Sequence, residues 1–213
     1  MVLSADATQI VSELSGENVK LGDIKKIAKG IKKDHELAME LWATGELNPR
    51  RLAILILDKK LITQELIDQL AADMLEHDED EQNKLSEWFM ANQLMKDKKT
   101  TALLQTWQAA PSPILRRLFW YHQARLRWMG KTDHDNTLAL LDFLEREMGN
   151  EVPNVQWAMN FCAGWIGVFV PELRPRCVKL GEKFGLYKGD PVARNCTPSY
   201  LPEFISIEAA KRE

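Results

Sequence analysis

The stretch Lys20–Asp58, KLGDIKKIAKGIKKDHELAMELWATGELNPRRLAILILD, decides the fold. Its residues follow a helical period, and no run alternates as a strand would. The spacing predicts helices over 22–33, 35–44 and 48–57, with Asn48-Pro49 as a cap followed by a first-turn proline. The breaks between them are short, so successive helices are expected to pack antiparallel.

The same pattern runs outward in both directions. Helices are predicted over 4–14, 62–75, 80–95, 98–108, 112–129, 135–148, 154–169 and 173–184. Ser112 is a candidate cap, and HDEDE (77–81) reads as an acidic helix start favoured by the helix dipole. Gly130 reads as a C-terminal glycine, Asp133 or Asp135 as the next cap, and Pro153 as a helix opener. Helix pairs recur near 62–95, 98–129 and 135–169. That period suits HEAT-like pairs stacked into a curved solenoid with a concave face, and an irregular helical globule is the alternative. The division expected is a repeat domain over 1–186 and an irregular C-terminal segment over 187–213, which has three prolines and little periodicity between Tyr187 and Pro202.

Composition narrows the classes. The 213 residues are 45% hydrophobic and 28% charged, with a net charge of −3. That balance belongs to an ordinary folded protein and gives no global signal for nucleic acid. Cys162, Cys177 and Cys196 have neither paired nor metal-ligand spacing, which points to reduced thiols and a cytoplasmic protein. MNFCAGWIGVFVP (Met159–Pro171) is too short to span a bilayer and reads as a buried helix. The four histidines lack ligand spacing, and neither a phosphate loop nor a nucleophile elbow occurs. No metal, cofactor or membrane is expected.

Two segments concentrate positive charge. Lys25, Lys26, Lys29, Lys32 and Lys33 fall largely on one side of one helix, where a solvated face is the plain reading. ILRRLFWYHQARLRWMGK holds Arg116, Arg117, Arg125 and Arg127 among Trp120, Tyr121 and Trp128. Arg116, Trp120, Gln123 and Arg127 form one helical line. Arg117, Tyr121, Ala124 and Trp128 form the next, with Leu115, Leu118, Phe119 and His122 toward the core. Arginine among aromatics holds phosphates and stacks on bases, or else pairs with nearby acids inside an amphipathic helix. Trp42, Trp157 and Trp165 sit on apolar or amphipathic helices and read as structural. In SEWFMANQLM (Ser86–Met95), Trp88 and Asn92 stand one above the other on a helix face, either as a core helix with one amide or as the remains of a reactive site.

Lys20–Asp58 resembles the opening helices of the AlkD-like DNA alkylation repair family. GLYKGDPVARNCTPSYLPEFI (Gly185–Ile205) is similar to that family's Gly-Asp…Cys-Thr-Pro tail. The resemblance implies an all-α, right-handed solenoid of HEAT-like repeats with a basic concave face that clasps duplex DNA. It implies, in active members, excision of cationic alkylated purines without metal or nucleotide. Their catalytic set is two tryptophans that pack on the deoxyribose, a carboxylate four residues after one of them, and an arginine that holds phosphate. Carried over, the Trp-x-x-x-Asp motif falls on Trp88 and Asn92, so the charge is lost. The arginine falls on Arg117, or on Arg116 one residue away. The second tryptophan falls on Phe161, with Trp157 one turn earlier as a substitute.

The function expected on that resemblance is a monomeric protein that binds duplex DNA, alkylated or damaged, through Arg117, Arg116, Arg125, Lys25 and Lys29. Glycosylase activity is expected to be weak or lost because Asn92 replaces the carboxylate. The alternative is a helical-repeat scaffold for a protein or peptide.

Overall fold

Caps and prolines cut the chain into helices close to the expected places. The computed structural model describes residues 3–16, 19–129 and 136–212. Among these residues there are twelve α-helices and no strand. They are α1 (Ala5–Leu14), α2 (Leu21–Ile31), α3 (His35–Trp42), α4 (Leu47–Ile56), α5 (Gln64–Met74) and α6 (Glu79–Asn92). After them come α7 (Lys98–Leu104), α8 (Pro113–Trp128), α9 (Thr137–Glu147), α10 (Pro153–Phe169), α11 (Arg174–Phe184) and α12 (Leu201–Ala210). Side-chain oxygens of Ser4, Asp34, Thr63, Asp78 and Asp97 accept from backbone N–H groups in the first turns of α1, α3, α5, α6 and α7. Each such cap is worth about 1 kcal/mol.

The chain forms two compact units, Met1–Trp107 and Gln108–Glu213. In the first unit, alternate helices run parallel. The end of α2 meets the end of α4, where Asp34 N donates to Ile56 O at 2.9 Å. Along α4 and α6 the order is also preserved: Trp88 Nε1 donates to Arg51 O, and the Gln93 side chain donates to Ile54 O. The core of this unit includes Leu41, Leu52, Ile54, Ile56, Leu70, Leu85 and Phe89, all essentially inaccessible. Arg50 is buried as a brace. Its guanidinium donates to Trp42 O and Asp73 O and lies 4.9 Å from the Trp42 ring, whose Nε1 donates to Asp73.

The second unit repeats this logic. Trp120 meets Phe143 and Arg127 meets Thr137, so α8 and α9 run antiparallel. Tyr121 meets Phe161 and Trp128 meets Trp165, so α8 and α10 run parallel. α12 continues the series: Gly164 lies against Leu201 and Phe204, and Gly167 lies against Ile205. Consecutive helices antiparallel and alternate helices parallel is the arrangement of stacked helical pairs.

Several expectations change. The segment expected to be irregular after residue 187 contains α12, whose Leu201, Phe204, Ile205 and Ala209 are buried. α6 stops at Asn92 rather than running to 95, and a 3-10 turn (Leu94–Lys96) follows. α4 is capped at Glu46; Asn48 lies inside the first turn and donates to Leu14 O. Ser112 stands at the cap position of α8 but makes no side-chain cap hydrogen bond. Gly130, Asp133 and Asp135 lie outside the described residues, and α9 follows Asn136.

Candidate nucleic-acid interface

In the first unit the structure joins two features that the sequence presents separately. α2 packs on α4 and α4 on α6, which brings the lysine helix to the Trp88 helix. The Lys25 ammonium lies 5.3 Å from the centre of the Trp88 ring. Such a contact is worth roughly 0.5–1 kcal/mol at an exposed site. Trp88 is half-buried, and its Nε1 donates to Arg51 O at 3.1 Å, which fixes the indole. Arg51 itself is half-buried. Burial lowers its pKa against the opposing pull of Glu81 and Asp80, and its Nε has no hydrogen-bond partner among the described residues. Lys25, Lys26, Lys29 and Lys32 are exposed, whereas Lys33 pairs with Asp58 at 2.9 Å.

Asn92 is the last residue of α6. Its Nδ2 donates to Trp88 O at 2.8 Å, one turn back along its own helix. The amide therefore serves a C-terminal carbonyl of the helix, a role no carboxylate fills. Glu87, next to Trp88 in sequence, stands about 100° around the helix.

In the second unit, Trp157, Phe161, Trp165 and Phe169 follow one another every four residues along α10. Trp157 and Phe161 stack with centroids 5.2 Å apart and planes at 16°. Tyr121 of α8 stacks on Phe161 at 5.8 Å, and Arg117 lies 5.6 Å from the Tyr121 ring and 5.4 Å from the Trp157 ring. Arg117, Trp157 and Phe161 are thus brought together, and the two positions considered for the second tryptophan belong to one stack. Beside it lies a cleft of about 180 Å³ lined by Trp157, Asn160, Phe161, Thr197, Ser199 and Phe204.

The arginines of α8 divide. Arg117 is only 2% exposed, and its Nε donates to Asn154 Oδ1 at 2.6 Å. It positions the aromatic stack from inside the unit rather than offering an open phosphate ligand. Arg116 is engaged elsewhere: Nε and one terminal nitrogen bind Glu151 at 2.7 and 3.0 Å, and the other donates to Ala110 O and Pro111 O. It therefore has little left for a phosphate. The line Arg116–Trp120–Gln123–Arg127, read as a surface, is interior; Trp120, Gln123 and Arg127 are fully buried because α9 and α10 both cover α8. Arg127 donates to Gln123 O and Thr137 Oγ1. Arg125 alone of the four combines partial exposure with the absence of an ion pair among the described residues, and it lies 5.7 Å from the Trp128 ring.

Sequence reasoning took Trp165 as structural and missed Phe169, Phe204 and Arg212. The four-residue spacing of aromatics on α10 was the available signal. No group of His, Cys, Asp and Glu placed to hold a metal occurs among the described residues. No helix among them is long and apolar enough to cross a membrane. The three cysteines are free; burial pushes Cys162 up to about 11 and Cys177 up to about 12, so neither is a ready thiolate.

The sequence model described as DNA alkylation repair enzyme matches residues 16–162. No curated protein matches the chain. A solved structure is similar with 20% identity and a TM-score of 0.67, over 98% of this chain and 89% of that one. It is described as "a new family of proteins related to the HEAT-like repeat DNA glycosylases with affinity for branched DNA structures". That likeness shows the fold: an all-α chain of HEAT-like repeats.

Proposed function

The chain belongs to the DNA alkylation repair enzyme family, and on that premise we propose that it binds DNA through the lysine face of α2 and excises alkylated purines weakly or not at all. The observation that carries this is the trio Lys25, Trp88 and Asn92. In the glycosylases that the sequence resembles, a carboxylate stands where Asn92 stands and faces the positive charge that grows on the sugar. Here the amide donates to its own helix, and the charge over Trp88 is the Lys25 ammonium. A carboxylate about 4 Å from a developing charge supplies roughly 4 kcal/mol at an effective dielectric near 20. Its loss removes on the order of a thousandfold in rate.

The same positive charge serves binding. Lys25, Lys26 and Lys29 on α2 and Lys32 just past its end are exposed, and phosphate neutralisation by such residues is the main source of DNA affinity. The similar structure comes from proteins with affinity for branched DNA, so branched as well as linear duplex is the proposed ligand. Fluorescence anisotropy with both DNAs, alongside release of methylated purines from alkylated DNA, tests the reading. Binding without measurable release supports it. Efficient release by the wild-type chain contradicts it.

One observation favours a protein-binding scaffold instead: the first unit has 19 Asp and Glu against 14 Lys and Arg. Absence of DNA binding at low salt would select that reading.

A further inference from the structure

The aromatic series of the second unit does not end inside the core. Trp128, at the last turn of α8, stacks on Trp165 with centroids 6.1 Å apart and planes at 18°. Trp165 is buried, stacks on Phe169 at 5.7 Å, and is braced edge-on by Phe204 at 5.2 Å. Trp128 itself remains 47% exposed. An indole held against a rigid base and half open to solvent can take a stacking ligand at little ordering cost.

Cations border this surface. The Arg125 guanidinium lies 5.7 Å from the Trp128 ring, and Arg212 lies 4.9 Å from the Trp165 ring and 5.5 Å from Phe169. Arg125 has no ion pair among the described residues, and its Nε has no acceptor. Arg212 shares the single carboxylate of Glu208 with Lys211, so that corner carries a surplus positive charge. The partner that suits such a surface has an aromatic plane and a negative charge next to it, which is the chemistry of a nucleotide. In an intact duplex the base faces are closed by their own neighbours. An unpaired base can lay its face on Trp128.

We propose that Trp128, with Arg125 beside it, is a stacking site for an unpaired nucleotide. This rests on the DNA-binding reading and deepens it: the lysines of α2 hold backbone, and Trp128 selects DNA in which a base is free.

The test compares a blunt duplex with the same duplex carrying a short single-stranded overhang, by fluorescence anisotropy on the full chain. The wild type is expected to favour the overhang. Trp128→Ala should lose that preference by about five- to a hundredfold, the range of one base–aromatic stack, with blunt-duplex affinity unchanged. Trp128→Phe should keep most of the preference, and Arg125→Gln should lose part of it; circular dichroism melting checks that each variant folds. A wild type that binds both DNAs equally overturns the site and leaves duplex binding standing. So does a Trp128→Ala variant that keeps the preference or weakens both DNAs alike. A wild type that binds neither DNA overturns the site together with the reading beneath it.

Discussion

Replacing Asn92 by Asp restores the family's charge at a price that the structure sets. The wild-type amide donates to Trp88 O at 2.8 Å from the last residue of α6. An aspartate cannot donate there, and the net value of such a bond is about 1 kcal/mol. Its negative charge would also face the carbonyl end of the helix, which costs about 0.3–1 kcal/mol more. Asn92→Asp should therefore lower stability by about 1–2 kcal/mol, and the midpoint by about 2–4 °C for each kcal/mol. The same change should raise excision of methylated purines by up to about a thousandfold over the wild-type level. Thermal melting by circular dichroism and purine release from methylated DNA read the two effects on one sample. An Asn92→Asp protein at least as stable as the wild type would refute the role assigned to the amide. A variant that folds and still releases nothing would refute the claim that charge at this position is what excision lacks.

Three further outcomes follow from packing and charge. Gly181→Ala should cost about 1–3 kcal/mol, since the new Cβ would lie 2.6 Å from Leu201 Cβ and 2.7 Å from Pro202 Cδ; Gly30→Ala, with nothing within 4 Å, should be neutral or slightly stabilising in the same melt. Burial pushes the Glu208 carboxyl up, but hydrogen bonds from Lys211, Thr197 and Arg212 outweigh it and hold the group at about 2 against an ordinary 4.5. Its contribution to stability is thus present above pH 4.5 and lost as pH falls toward 2. Glu208→Gln should flatten the wild-type loss of stability across that window, and equal pH profiles for the two proteins would count against the clamp.

The helices were legible where local chemistry sets them. α8 and α10 begin at Pro113 and Pro153, each a first-turn proline, and end within a residue or so of the periodic pattern. The end of α6 was not legible, because it is set at long range: Gln93 leaves the helix and its amide reaches the Ile54 carbonyl. α12 was overlooked although Leu201, Phe204, Ile205 and Ala209 keep helical spacing; Pro202 lies in the first turn and reads as a breaker only when taken alone. At the candidate site, Trp88 and Asn92 were singled out by resemblance to the family's Trp-x-x-x-Asp motif; their four-residue spacing alone fits a plain core helix as well. The acceptor for the indole was not legible, since Arg51 contributes a backbone carbonyl, which carries no sequence signal. The choice between Arg116 and Arg117 depends on where Glu151 and Asn154 arrive from α10 and the turn before it. Adjacent arginines look alike in sequence and meet different partners in the fold.

The most direct test of DNA binding through α2 is the salt dependence of duplex affinity, measured for the wild type and for Lys25→Ala combined with Lys29→Ala. The wild type should bind at low salt, with log K falling linearly against log salt. The double variant should have a slope shallower by about 2, one unit for each phosphate contact removed. No binding at low salt, or an unchanged slope in the double variant, would contradict the account.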